Sequence, residues 1–108
     1  MPTAVAQVLA SGLVDTTDIA RVLTASQRSV QRWTSHDVAP RKEAEERLLE
    51  LAAVLDLAAE TLPADAARLW IRAPVAELGW RKPLDVIRDG DFRLVIDALL
   101  ALSAGVIQ

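Results

Sequence analysis

Apolar residues recur at three- and four-residue spacing through most of the 108-residue chain. That is the period of a helix with one buried face. Val5, Val8 and Leu9 predict a short first helix over residues 2–11, ended by Gly12. Asp15, Thr16 and Thr17 are N-cap candidates for a second helix over 17–23, with Ile19, Val22 and Leu23 buried. Ser26 can cap a third helix over 27–35, anchored by Val30 and Trp33. Pro40 precedes the longest helix, 42–61, whose main stripe is Leu48, Leu51, Ala52, Leu55, Ala58 and Leu62. A second line, Leu49, Ala53 and Leu57, lies on another side of it, mixed with Glu46 and Glu60. Pro63 starts a helix over 64–72 with Leu69 and Trp70 inward, and Pro74 breaks it. One helical turn over 75–78 leads through Gly79 to two closing helices. Pro83 suits a first helical position, and Gly90 can take the left-handed conformation between the two helices. Asp91 is the expected cap of the last helix, 92–103.

That last helix is apolar nearly all round. Phe92, Val95, Ile96, Leu99 and Leu102 form one face, Leu94, Ala98 and Ala101 a second, and only Arg93 and Asp97 a polar edge. Such a helix is buried on more than one side, which in so small a chain implies a partner.

Composition agrees with an all-α fold: Ala, Leu, Arg and Glu abound and β-branched runs are few. The 52% of hydrophobic residues is enough for a core. There is no cysteine, hence no thiolate chemistry or disulfide, and the lone histidine, His36, excludes a multi-histidine metal site. His36 itself reads as an exposed residue or a local cap. No apolar run approaches the roughly 20 residues of a membrane span, and the N-terminus lacks a signal-peptide pattern, so the expected location is cytoplasmic. The net charge of −3 is uneven: residues 1–42 hold five Lys/Arg against three Asp/Glu, and residues 43–108 seven against twelve. That asymmetry suits two different partners.

The second and third helices, joined by a tight turn, read as a helix-turn-helix. Its second helix carries Gln27, Arg28, Gln31 and Arg32, side chains able to hydrogen-bond adenine and guanine edges. Arg21 and Arg41 are placed to reach flanking phosphates. The competing reading is a solvated face on a helix-turn-helix that does not bind DNA, since the segment is short and the chain acidic. Trp80 is either core or a partner anchor, and Arg81-Lys82 either a solvated pair or a binder of an anion or an acidic partner patch. Asp85, Asp89, Asp91 and Asp97 have no nucleophile, base or sufficient oxygen ligands beside them, so turn and cap chemistry explains them and neither an enzyme nor a metal or other cofactor is expected. The tail Gly105-Val106-Ile107-Gln108 reads as a helix end with Val106 folded back, or as an apolar plug for another protein.

Leu69-Trp70-Ile71, Pro74, Leu78-Gly79, Pro83-Leu84-Asp85, Gly90, Phe92, Val95, Leu99 and Gly105-Val106, in this order and spacing, resemble the toxin-binding domain of the Xre/MbcA/ParS antitoxin family, from about Leu48 onward. Ile19-Ala20-Arg21-Val22-Leu23 and Ser26 to Trp33 are more weakly similar to an Xre-type helix-turn-helix, in which Ala20 sits at the helix crossing. The resemblance implies a reduced helix-turn-helix over residues 1–41 and an antitoxin toxin-binding domain over 42–108, packed as one compact unit. It implies an antitoxin of a type II toxin–antitoxin pair. The cognate toxin would be a RES-domain enzyme that degrades NAD⁺, inhibited by occlusion of its active site, with autorepression through operator DNA. The residues expected to meet the toxin are Trp80, Arg81, Lys82, Arg93, Leu94, Ala98, Ala101, Gly105, Val106, Ile107 and Gln108. Leu49, Ala53 and Leu57 are expected to support a homodimer or a larger hetero-oligomer with toxin. The alternative is a stand-alone transcription regulator whose C-terminal helices only dimerise.

Overall fold

The computed structural model describes residues 4–35 and 40–105. His36 and the tail residues Val106, Ile107 and Gln108 lie outside the described residues, as does the start of the first helix at Pro2. Among the described residues the secondary structure is helical: α1 (Ala4–Ala10), α2 (Thr16–Leu23), α3 (Gln27–Thr34), α4 (Lys42–Thr61), α5 (Ala64–Trp70), a 3-10 turn (Ala76–Leu78), α6 (Pro83–Arg88) and α7 (Phe92–Ser103).

Local signals set most of these limits. At α2 the Asp15 carboxylate accepts from the Asp18 N–H at 2.9 Å, and the Asp18 carboxylate accepts from the Asp15 N–H at 3.0 Å. This reciprocal pair satisfies two donors that the first turn leaves orphaned. The Asp18 N–H holds the Asp15 carboxyl below its ordinary range, against a smaller opposing effect of burial. Ser26 caps α3 by accepting from the Ser29 N–H at 3.1 Å. Pro83 occupies the first turn of α6, and Gly90 at φ 92° separates α6 from α7. Asp91 does not cap α7. Its backbone is not extended (φ −104°, ψ 35°) and its side chain accepts no cap bond. A cap needs extended geometry to aim its oxygen at the following N–H groups, and the tight turn at Gly90 denies it.

The core is one cluster drawn from both halves of the chain. Ile19 and Val22 of α2, Val30 of α3, Leu48, Leu51, Val54 and Leu55 of α4, Val86 and Ile87 of α6, and Val95 and Leu99 of α7 are all essentially inaccessible. The longest helix is the spine: α7 packs most extensively along it, α1 lies against another side, and α2 packs on α6. Two arginines tie the remaining helix down. Arg68 donates to the Gly12 carbonyl at 2.9 Å, and Arg72 pairs with Asp18.

Three side-chain directions differ from the sequence reading. Leu69 points outward and is 73% exposed. Ala67 and Ile71, four apart, define the inner face of α5 together with half-buried Trp70, which leaves Leu69 on the opposite side. On α4 the core reaches beyond the predicted stripe to Val54, and Leu57 packs partly against it, so Leu49, Ala53 and Leu57 do not form one exposed line. On α7, Ala98 is 8% exposed and belongs to this chain's own core rather than to a free second face.

Candidate reading helix and docking face

Two surfaces carry the candidate residues. The first is α3. Val30 is its only fully buried side chain, and Gln27, Arg28, Gln31 and Arg32 are exposed on one side. The Gln27 side-chain amide donates to the Thr17 hydroxyl at 3.0 Å, fixing the start of α3 to the start of α2. Between the two helices Ala20 is nearly buried, as a close crossing demands, and Thr24 turns the chain at φ 48°. Arg28 and Arg32 take part in none of the ion pairs among the described residues. Arg41 stands at the head of α4, on the rim of a cleft of about 390 Å³ between α2–α3 and α4. Half-buried Trp33 packs against the core, as expected, and also lines that cleft.

Arg21 is engaged differently from the sequence expectation. Its guanidinium grips Asp85 with two bonds, Nε to Oδ1 at 2.8 Å and Nη2 to Oδ2 at 3.0 Å. From Asp85 the pairing continues through Arg88 (3.4 Å) to Asp89 (3.1 Å), and from Asp89 to Arg81 (3.7 Å). The partners Asp89 and Asp85 raise the Arg88 pKa. A run of charges thus joins α2 through α6 to the loop before it. It is half-exposed, so each link contributes little to stability.

The second surface is built from α7 and the loop before α6. On α7, Arg93, Leu94, Asp97, Leu100 and Ala101 are exposed, with Leu94 at 46% and Leu100 at 49%. Leu100 was not among the residues read from the sequence as meeting a partner. Its signal was its position: it stands on the polar edge with Arg93 and Asp97, where a structural leucine has no reason to be. Gly105, at φ 71°, ends the helix and is exposed. In the loop, Trp80 is 71% exposed, so it is not core. Arg81 beside it is exposed and Lys82 half-buried. Residues expected to act together are therefore split. Leu94 and Ala101 share the outer side of α7, Gly105 follows its end, Trp80 and Arg81 stand on the loop, and Ala98 faces inward. Among the described residues no cluster of His, Cys, Asp and Glu could hold a metal ion. No helix among them is long and apolar enough to cross a membrane.

Two short helices joined by a tight turn, leading into a helical unit with leucines left in solvent, define the class of a small all-helical protein with a candidate docking face. Residues 51–105 match the family model described as the antitoxin Xre/MbcA/ParS C-terminal toxin-binding domain. The chain is 42% identical over 89 residues to the mycobacterial cidal antitoxin MbcA of Mycobacterium tuberculosis and to that of Mycobacterium bovis, covering 82% of this chain and 79% of each relative. Its structure superposes with a TM-score of 0.86 on a chain in the crystal structure of the M. tuberculosis MbcT-MbcA toxin-antitoxin complex, at 36% identity, covering 97% of this chain and 95% of that one. The chain belongs to the Xre/MbcA/ParS antitoxin family.

Proposed function

We propose that this chain is the antitoxin of a toxin–antitoxin pair, binding its cognate toxin through the outer side of α7 and the segment that follows it. The observation that carries the reading is the pair of half-exposed leucines, Leu94 and Leu100, on a helix inside the segment matched to a toxin-binding domain. Leucines held in water on an ordered helix gain from being covered, and a protein partner covers them. The toxin is read as a RES-domain enzyme that degrades NAD⁺. The antitoxin blocks it by exclusion, the helix face supplying affinity and the segment from Gly105 to Gln108 lying over the mouth of the NAD⁺ pocket. An apolar plug of this kind need not mimic the charge of the dinucleotide. No step of NAD⁺ chemistry is assigned to the antitoxin itself.

The same chain represses its own operon through α3. Exposed Arg28, Gln31 and Arg32 support this second role, while the Gln27 amide, also exposed, is engaged by the Thr17 hydroxyl. Arg41 would add a phosphate contact, whereas Arg21 is held by Asp85.

Truncation separates helix-face affinity from occlusion. A chain lacking residues 105–108 should still co-purify with the toxin encoded by the neighbouring gene, yet the complex should regain NAD⁺ consumption. If the truncated chain inhibits as fully as the whole one, occlusion by the tail is the wrong mechanism. If the full chain forms no complex, the antitoxin reading itself is wrong.

A further inference from the structure

The loop before α6 holds a tryptophan where glycine is the ordinary occupant. Gly79 and Trp80 are consecutive left-handed residues, at φ 68° and φ 65°. For a bulky L-residue that conformation is an outlier, because Cβ crowds the backbone. The loop imposes it. Val75 and Arg81 pair in an isolated antiparallel bridge, the Val75 N–H donating to the Arg81 carbonyl at 3.1 Å. The Val75 carbonyl in turn accepts from the Leu78 N–H and from the Trp80 N–H, both at 2.9 Å. Buried Val75 and Leu78 root the ring in the core. The backbone of Trp80 is therefore fixed, and its side chain is 71% exposed. Within this chain the indole repays none of the strain, since most of its surface stays in water. Strain that persists without internal compensation points to a role outside the chain.

We propose that Trp80 is a preorganised anchor for the toxin, seated in an apolar socket bordered by carboxylates. The inference rests on the antitoxin reading above. The loop lies inside residues 51–105, the stretch matched to a toxin-binding domain. A rigid loop loses little entropy when it docks, and tryptophan is the side chain that most often dominates interface energy. The flanking charges choose the rim. Arg81, held by a long pairing with Asp89 and a bond to the Leu78 carbonyl, and Lys82 follow Trp80 directly in the chain, so the complementary surface is acidic.

The anchor makes stability and binding move in opposite directions, which a merely structural tryptophan would not do. Trp80→Asn and Trp80→Gly place residues that accept positive φ at this position. Both variants should melt at or above the wild-type temperature. Both should bind the toxin encoded by the neighbouring gene at least tenfold more weakly, mostly through faster dissociation. Trp80→Phe, which keeps an aromatic ring, should retain most of the affinity. In the full chain labelled with 5-fluorotryptophan, the ¹⁹F resonance that Trp80→Phe removes should shift on addition of toxin. If the Asn variant binds within twofold of wild type, or that resonance does not move, Trp80 is not the anchor, and the antitoxin reading stands untouched. Failure of the wild-type chain to bind would instead overturn the antitoxin reading and this inference with it.

Discussion

Replacing Leu94 and Leu100 by alanine measures what the outer face of α7 contributes to the complex. In the free chain the two side chains are 46% and 49% exposed, so about half of each remains to be covered by a partner. Full burial of a leucine contributes about 1.5–3 kcal/mol, and the uncovered half therefore about 0.7–1.5 kcal/mol. Alanine keeps only the first carbon of the side chain, which puts the loss at about 0.5–1 kcal/mol for each site. The two positions are about 9 Å apart along the helix axis at its standard rise per residue. At that spacing, with no shared partner, the effects should add, and the double variant should weaken Kd by roughly 5- to 30-fold. The free chain should lose less, because alanine is the best helix former and the deleted atoms are the half-exposed ones. Titration calorimetry against the toxin gives Kd, and thermal melts of the free variants give the stability control. A double variant that binds within twofold of wild type, with an unchanged melting curve, would refute the docking face. Leu94→Glu is the harsher single change, since docking would bury a carboxylate without a partner.

Two further outcomes test the other surfaces. If α3 reads bases, Arg28→Ala should cost about 1–3 kcal/mol on the operator and little on random DNA, while Arg41→Ala should weaken both and flatten the salt dependence; a complex that leaves no footprint on its own promoter at low salt would remove the DNA role. If the exposed side of α4 supports a homodimer, Leu49→Glu is the cleaner probe than a change at Leu57, which packs partly on the core, and light scattering that shows a monomer at micromolar concentration, unaltered by the substitution, would rule the dimer out.

The sequence by itself determined the helices and their order. Asp15 with Asp18, Ser26, Pro83 and Gly90 act within a few residues of where they stand, so their effect is readable without knowing what packs where. The long stripe of α4 was legible for the same reason, since a twenty-residue helix averages over many positions. The family resemblance was legible from particular residues, among them Trp70, Pro74, Gly79, Pro83 and Gly90, in their order and spacing, and the matched segment lies within the stretch that carried it. Tertiary structure decided which side of an apolar helix is inside. On α7 the periodicity allowed two buried faces, and packing against α4 took Ala98 inward while leaving Leu94 and Leu100 in solvent. On the seven-residue α5 a shift of two residues in the inward face is enough to turn Leu69 outward. The Arg21–Asp85 pair joins residues 64 positions apart, and no local signal could have named it. Trp80 shows the same division at one residue. The sequence left it as either core or a partner anchor, and only the hydrogen-bonded ring from Val75 to Arg81, closed across the loop, forces its backbone left-handed and its indole into water.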